Sequence, residues 1–122
     1  MKGGDASIMY DISREGVNTM LQEILFRQIE KEQKKLDKTS DILISLCRKY
    51  RTGQIDFYDG SVVAALTVQY DELSDSISNL YVAVLECGNN KSLLIETIQL
   101  LNDLSLKIAC FVLKVFETEE VM

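Results

Sequence analysis

SVVAALTVQYDELSDSISNLYVAVLEC, residues 61–87, is the stretch of the chain that decides the fold. Its apolar residues recur at alternating spacings of three and four, and this is the pattern of a helix that packs along another helix. The stripe they form, called a seam below, consists of Val63, Leu66, Tyr70, Leu73, Ile77, Leu80, Val84 and Cys87. The pattern predicts one long amphipathic helix, which is stable in water only when an apolar partner lies along it.

Two further helical patterns, near 14–50 and 90–117, lie on either side of this stretch. Gly53, in a turn predicted at 51–60, and Gly88 separate the three patterns. Glycine readily takes the left-handed conformation that ends many helices, so both positions mark helix ends. The predicted fold class is therefore all-α, an antiparallel bundle of three long helices with coiled-coil-like packing.

The first helical pattern leaves one alternative open. Its centre, residues 30–41, is almost wholly polar, and the Thr-Ser-Asp triplet at 39–41 is suited to capping a new helix. A break near 39–41 would give a bundle of four helices. Lysine, glutamine and glutamate are good helix formers, so we expect one continuous helix.

The third helix is predicted to carry more apolar residues than one seam can hide. The predicted seam consists of Leu94, Ile98, Leu101, Ser105, Ile108, Val112 and Val115. The apolar residues that fall outside it are Leu104, Leu106, Ala109, Phe111, Leu113 and Phe116. The second half of this helix is therefore expected to present apolar side chains on several faces.

The turn between the first two helices carries its own expectations. Asp59 or Ser61 is predicted to cap the second helix, because both side chains accept hydrogen bonds from the first free backbone N–H groups. Ile55, Phe57 and Tyr58 are predicted to close the end of the bundle. At the other turn, an asparagine after Gly88 is predicted to cap the third helix.

Length and composition fit one helical domain. The chain has 122 residues, of which 47% are hydrophobic, and it contains no proline. We predict a single domain over 1–122, with an arm at 1–13 and a flexible acidic tail at 118–122. No apolar run approaches the roughly 20 residues that cross a bilayer, so membrane insertion is not expected.

The charge balance restricts the classes of partner. Thirteen basic and nineteen acidic residues give a net charge of −6, which disfavours binding to nucleic acid or to anionic membranes. Eight of the thirteen basic residues fall between 27 and 51, where the expected arrangement is a solvated basic helix beside an acidic one. The three cysteines, at 47, 87 and 110, lack metal-site spacing and are expected to be buried thiols of a cytoplasmic protein.

The sequence shows no pattern of an enzyme. It contains no histidine, which removes imidazole bases, histidine-dependent triads and histidine metal ligands. No glycine-rich phosphate loop and no di-iron carboxylate pattern is present. We therefore predict no catalytic residues, no cofactor, no metal site and no enzymatic activity.

The remaining interpretation is a protein that works by binding other helices. The predicted function is a non-enzymatic interaction module, such as an adaptor, a dedicated chaperone or a regulatory subunit. The alternative is a self-assembling structural coiled coil with no separate partner. The expected partner is a second copy, as a homodimer, or another helical protein.

The predicted partner-binding residues lie on two elements. The first helix is longer than the other two, and its overhang is expected to expose apolar side chains. The third helix adds those that its seam leaves uncovered. The predicted set is Val17, Met20, Leu21, Ile24, Leu25, Leu106, Phe111, Leu113 and Phe116.

Overall fold

The protein is a bundle of three helices in a computed structural model, which describes the backbone of residues 2–88 and 90–122 and the side chains of residues 20–88 and 90–122. The helices are α1 (Lys2–Arg51), α2 (Phe57–Cys87) and α3 (Lys91–Val121). No strand occurs in this described part of the chain. The predicted all-α fold is confirmed, and α1 runs through residues 39–41 without a break.

The helix ends follow from local hydrogen bonding. Gly53 has a φ of 73°, and the N–H groups of Gly53 and Gln54 donate back to the carbonyls of Tyr50 and Lys49, which closes α1 with a Schellman motif. Gly88 likewise has a positive φ, of 53°, at the end of α2. Both glycines therefore end helices as predicted.

The cap of α2 differs from the prediction. Asp56 is the N-cap, and its Oδ1 accepts a hydrogen bond from the Asp59 N–H at 2.8 Å. Asp59 therefore lies in the first turn, where its charge is favourable to the helix dipole. At the start of α3, Asn90 accepts from the Leu93 N–H at 3.2 Å, so the predicted asparagine cap is confirmed.

Contacts between the helices fix their directions. At one end Gly60 of α2 lies against the Tyr50 ring of α1, and at the other end Gln22 Nε2 of α1 donates to the Val84 carbonyl of α2 at 3.1 Å. These two contacts make α1 and α2 antiparallel. The Cys87 Sγ and Thr97 Oγ1 atoms, 3.4 Å apart, join the end of α2 to the start of α3.

Helices α1 and α3 are parallel and keep one register along their length. Ser105 Oγ donates to Glu32 Oε1, and Lys49 Nζ donates to the Met122 carbonyl. Both pairs are separated by 73 positions in sequence. The topology is therefore up, down and up, as predicted.

The core consists of one seam from each helix. In α2 the predicted seam is confirmed, although Tyr70 and Leu73 are half-buried. In α1 the seam continues across the polar centre of the helix, through the buried residues Leu25, Ile29, Glu32, Leu36, Thr39, Leu43 and Leu46. Two of these seven are polar, and this is why the central part of the α1 seam could not be read from hydrophobicity.

The seam of α3 differs from the predicted one at every second position. The buried residues are Leu94, Thr97, Leu101, Leu104, Ile108, Phe111 and Val115, whereas Ile98, Ser105 and Val112 are half-buried. The predicted and the observed seams both keep a spacing of three and four, and they differ only in the side of the helix on which they lie. The spacing alone could not distinguish them, so the prediction was wrong. Leu104 and Phe111 thus belong to the core.

The end of the bundle beside the first turn is more open than predicted. Phe57 and Tyr58 are exposed, and only Ile55 is half-buried. The prediction that all three close this end was wrong. Tyr50 of α1 lies against Gly60 of α2, and Phe57 and Tyr58 precede this contact at the open end of the bundle.

The overhang of α1 beyond the other two helices differs from the predicted one. Helix α1 has 50 residues and spans ~75 Å, while α2 and α3 have 31 residues each and span ~46 Å. Gln22 already contacts α2, so residues from about 20 onward lie alongside the other helices instead of beyond them. The predicted arm at 1–13 lies outside the residues whose side chains are described, and α3 extends through most of the predicted tail to Val121.

Candidate interaction surface

The most unusual polar group in the core is the carboxylate of Glu32. This side chain occupies a seam position of α1 and is 4% exposed. Its Oε1 accepts from Ser105 Oγ at 2.9 Å and from Lys35 Nζ at 3.1 Å, while its Oε2 has no hydrogen-bond partner among the described atoms. This single carboxylate, held by a serine and a lysine, joins α1 to α3.

The other buried polar side chains of the core are satisfied within their own helices. Thr39 Oγ1 donates to the Leu36 carbonyl at 2.6 Å, and Thr97 Oγ1 donates to the Leu93 carbonyl at 2.7 Å. Threonine commonly makes this bond to a carbonyl one turn earlier. These residues therefore take seam positions without requiring a partner from another helix.

The described side chains contain no group of three or more acidic or cysteine residues placed to hold a metal ion. The concave surfaces are open grooves between neighbouring helices. One groove follows α2 and α3, where Leu73, Leu106 and Phe111 form part of its wall. A second groove follows α1 and α2 beside Ile44 and Tyr70. These shapes suit the side of a helix more than a small molecule.

A second apolar stripe lies on the solvent side of α3. Its residues follow at spacings of four, three, four and three, so they form another seam on a helix whose first seam is already buried. We call this stripe the outer seam, and its residues are Asn102, Leu106, Ala109, Leu113 and Phe116. All five are exposed, with Leu106 at 68% and Leu113 at 61%.

The structure divides the predicted binding residues of α3. Leu106, Leu113 and Phe116 are exposed and belong to the outer seam. Phe111 is 3% exposed and packs in the core, with its ring centroid 6.5 Å from that of Tyr70. The prediction for Phe111 was wrong because the true core seam passes through it.

The predicted residues of α1 are divided in the same way. Met20 and Ile24 are exposed, and Leu21 is half-buried. Leu25 is buried at the start of the core seam, so it is not available to a partner and its prediction was wrong. The physical reason is that α2 extends along α1 past Leu25, as the contact of Gln22 with Val84 shows. The side chain of Val17 lies outside the described residues.

The predicted set of binding residues left out two members of the outer seam, Asn102 and Ala109, although Ala109 was among the apolar residues that the predicted core seam did not cover. Neither is strongly apolar, so a search for large hydrophobic residues passes over them. The signal that finds them is the spacing, because they complete the four and three pattern around Leu106 and Leu113. An asparagine within an apolar seam is also a common device for fixing the register of paired helices.

The basic residues of α1 face outward instead of toward acidic helices. Arg27, Lys31, Lys34 and Lys38 are exposed, and they follow at spacings of four, three and four. Among the described side chains the only ion pair is Lys35 with Glu32, one turn apart on α1. The basic side chains of α1 are therefore solvated, as expected, and in this part of the chain they form no ion pair with another helix.

The cysteines occupy three different environments. Cys87 is buried, Cys47 is half-buried with its Sγ 3.9 Å from Thr67 Oγ1, and Cys110 is exposed beside the outer seam. All three are free thiols. The expectation of three buried thiols is wrong for Cys110, because it lies on the solvent side of α3.

Comparison with known proteins adds no relative: no family model, no curated protein and no solved structure matches the chain. Among the described residues, no helix combines the length and the apolar character needed to span a bilayer.

Proposed function

We propose that this protein is a non-enzymatic helical module that binds other helices, in the role of an adaptor, a dedicated chaperone or a regulatory subunit. The observation that carries the proposal is the outer seam, a heptad-spaced apolar stripe exposed on a helix whose first seam already fills the core. Its spacing is that of helix-to-helix packing, so the fitting partner is a helix that lies along α3.

The energy available at this surface supports binding. Burial of a leucine or phenylalanine side chain contributes about 1.5–3 kcal/mol. Leu106, Ala109, Leu113 and Phe116 lie on successive turns of one face, and contiguous apolar surface of this kind usually marks an interface. Met20 and Ile24 add exposed apolar groups on α1.

The charge of the molecule favours protein partners over nucleic acid. The net charge is −6, so the exposed basic residues of α1 occur within a molecule that repels polyanions at long range. The absence of histidine from the sequence supports a binding role over acid and base catalysis. The proposed place of action is the cytoplasm, where an exposed thiol such as that of Cys110 stays reduced.

The alternative is a self-assembling structural coiled coil. It is favoured by the same outer seam, since a seam that satisfies the heptad pattern is suited to a second copy as well as to a different chain. The two functions differ in what the protein binds, and an experiment that recovers the bound chain separates them.

The test is recovery of bound proteins from the native source by the wild-type protein and two variants. The double variant Leu106→Glu/Leu113→Glu places charges in the outer seam. The control Leu100→Glu changes a leucine of α3 that is 57% exposed but lies outside that seam. The proposal expects a different chain to be recovered by the wild type and the control, and to be lost by the double variant.

Two other results are informative. Recovery of only this chain by the wild type would favour the self-assembling alternative. Equal recovery of a partner by all three proteins would show that the outer seam is not the binding surface, and the proposal would then be wrong. Circular dichroism of each variant establishes that the helices remain folded.

A further inference from the structure

We propose that the outer seam of α3 is covered by the outer seam of a second copy, with the two α3 helices antiparallel about a two-fold axis close to Ala109. The inference rests on the proposed function in using the same surface. It adds that a second copy of the chain binds there, and it gives the direction and the register of the two α3 helices.

The outer seam is complementary to itself in the antiparallel direction. Leu106 and Leu113 lie almost symmetrically on either side of Ala109, and so do Asn102 and Phe116. One two-fold axis therefore brings Leu106 of each copy opposite Leu113 of the other, with Asn102 opposite Phe116 in the next layer. The interface is isologous and closed, so it makes a dimer and leaves no repeating contact.

Ala109 is the smallest residue of the outer seam and lies nearest the axis. The distance between two packed helices, about 8–10 Å, depends on the side chains at the contact. An alanine at this point lets the two helices approach closely, while the leucines on the turns above and below fill the space beside it. A large side chain at 109 would hold the helices apart.

Charge favours the antiparallel direction over the parallel one. A parallel pair would place the acidic ends of both α3 helices, with Glu117 and Glu120, side by side. In the antiparallel pair, the acidic end of one α3 lies beside the part of the other α3 near Asn102. The register of 73 positions places this part level with about residue 29 of α1.

Lys31 is the cation that meets the acidic end. It lies one turn before Lys35, which contacts Glu32 beside Ser105, so both lysines are on the side of α1 nearest α3. Lys31 is exposed and has no ion-pair partner among the described side chains. The antiparallel dimer therefore places opposite charges together at each end.

The same arrangement brings Asp103 of one copy level with Glu117 of the other. Lys114 lies one turn from Glu117 on the same helix and offsets this acidic pair. This contact is at the exposed rim, where single charges contribute little to affinity. The apolar layers form in either direction, so the contact of Lys31 with the acidic end decides it.

Cross-linking through cysteine tests the arrangement, because Cys110 is exposed and lies next to the proposed axis. In a Cys47→Ser chain, Cys110 is the only thiol that is not buried. A short bismaleimide is expected to convert this chain from 13.8 kDa to a covalent dimer of twice that mass. Ser78, exposed on α2, provides the control: a Cys47→Ser/Cys110→Ser/Ser78→Cys chain is expected to remain at 13.8 kDa.

A test of the relative direction of the two α3 helices requires cysteines at a second pair of positions. In a Cys47→Ser/Cys110→Ser background, Asp103→Cys alone is expected to give no dimer, because the antiparallel pair separates the two copies of residue 103 by about four turns. Mixing Asp103→Cys with Glu117→Cys is expected to give the cross-linked dimer. Cross-linking by Asp103→Cys alone would show a parallel pair and overturn the inference.

The dimer and the proposed function can be contradicted independently, because each has its own negative result. Absence of cross-linking at Cys110, with a mass of 13.8 kDa by light scattering, would overturn the dimer. A different chain that is recovered by the wild type and lost by Leu106→Glu/Leu113→Glu would then still support the interaction module. Absence of both results would overturn both claims.

Discussion

At the scale of single residues, Glu32 is the clearest departure of the sequence from a simple helical bundle. It stands where the heptad pattern calls for an apolar residue, and one of its two oxygens is buried with no hydrogen-bond partner among the described atoms. A buried carboxylate loses its hydration, and hydrogen bonds to one oxygen recover only part of that free energy. The residue therefore lowers stability while it fixes the register of α1 against α3.

Glu32→Leu is expected to increase the free energy of unfolding by about 1–4 kcal/mol, the range seen when buried ionic groups are replaced by apolar ones. Ser105→Ala is expected to act in the opposite direction, because it removes a donor and leaves the buried carboxylate with fewer hydrogen bonds. Urea unfolding of the two variants measures both effects. A lower stability of Glu32→Leu would show that the carboxylate contributes more than an apolar side chain does at this position.

Gly60 gives a second prediction at this scale. Helix propensity alone predicts that Gly60→Ala stabilises α2 by up to about 1 kcal/mol. A Cβ atom at this position would instead overlap the Tyr50 ring, so we expect a loss of about 1–3 kcal/mol. Thermal melts of Gly60→Ala and of Gly60→Ala/Tyr50→Ala measure the effect, and the double variant is expected to remove the clash. Stabilisation by Gly60→Ala alone would contradict the close contact.

At the scale of elements, α3 is the helix with two seams. Its core seam and its outer seam both keep the spacing of three and four, and they share no residue. Apolar side chains on two faces are typical of a helix that packs inside its own domain on one side and against another chain on the other. We therefore propose that α3 contributes to the stability of the bundle through one face and to binding through the other.

The two phenylalanines of α3 separate these roles. Phe111 is 3% exposed and Phe116 is 41% exposed. Phe111→Ala is expected to cost about 3–5 kcal/mol of stability, as for other buried phenylalanines. Phe116→Ala is expected to cost much less in the single chain. Urea unfolding at low protein concentration measures the difference, and equal losses would show that the core seam of α3 has been assigned to the wrong phase.

The same helix shows how far sequence reasoning reaches. The seam of α2 was predicted at all eight positions because every residue outside the stripe between 71 and 79 is polar, which leaves only one possible apolar face there. In α3 the residues that follow the true seam positions 97, 104 and 111 are Ile98, Ser105 and Val112, which are apolar or small, so the spacing fits two alternative seams. Only the contact of Phe111 with Tyr70 and the burial of Leu104 distinguish them.

Polar core positions and caps were hidden for a related reason. Glu32 and Thr39 have no hydrophobic signal, and the partner of the buried Glu32, Ser105, lies far away in sequence. Asp56 and Asp59 are equally good capping residues, so the chosen cap depends on where the preceding turn ends. The spacing of Asn102 and Ala109 was readable in advance, but their role depends on which face of α3 is already buried.

At the scale of the whole molecule, the fold leaves its charge and its surplus apolar surface unpaired. The exposed basic residues of α1 and the acidic end of α3 do not meet within one chain in the described part of the protein. The outer seam lies between them on the surface. We propose that a second surface of the matching pattern, supplied by another copy of the chain, covers the outer seam.

The most direct test of this account is the molar mass measured by light scattering as a function of protein concentration. We expect the wild type and Leu100→Glu to rise from 13.8 kDa toward twice that value, whereas Leu113→Glu stays at 13.8 kDa with unchanged helical content. A wild type that remains at 13.8 kDa at the highest concentration would contradict the claim that the outer seam is an interface between copies of the chain.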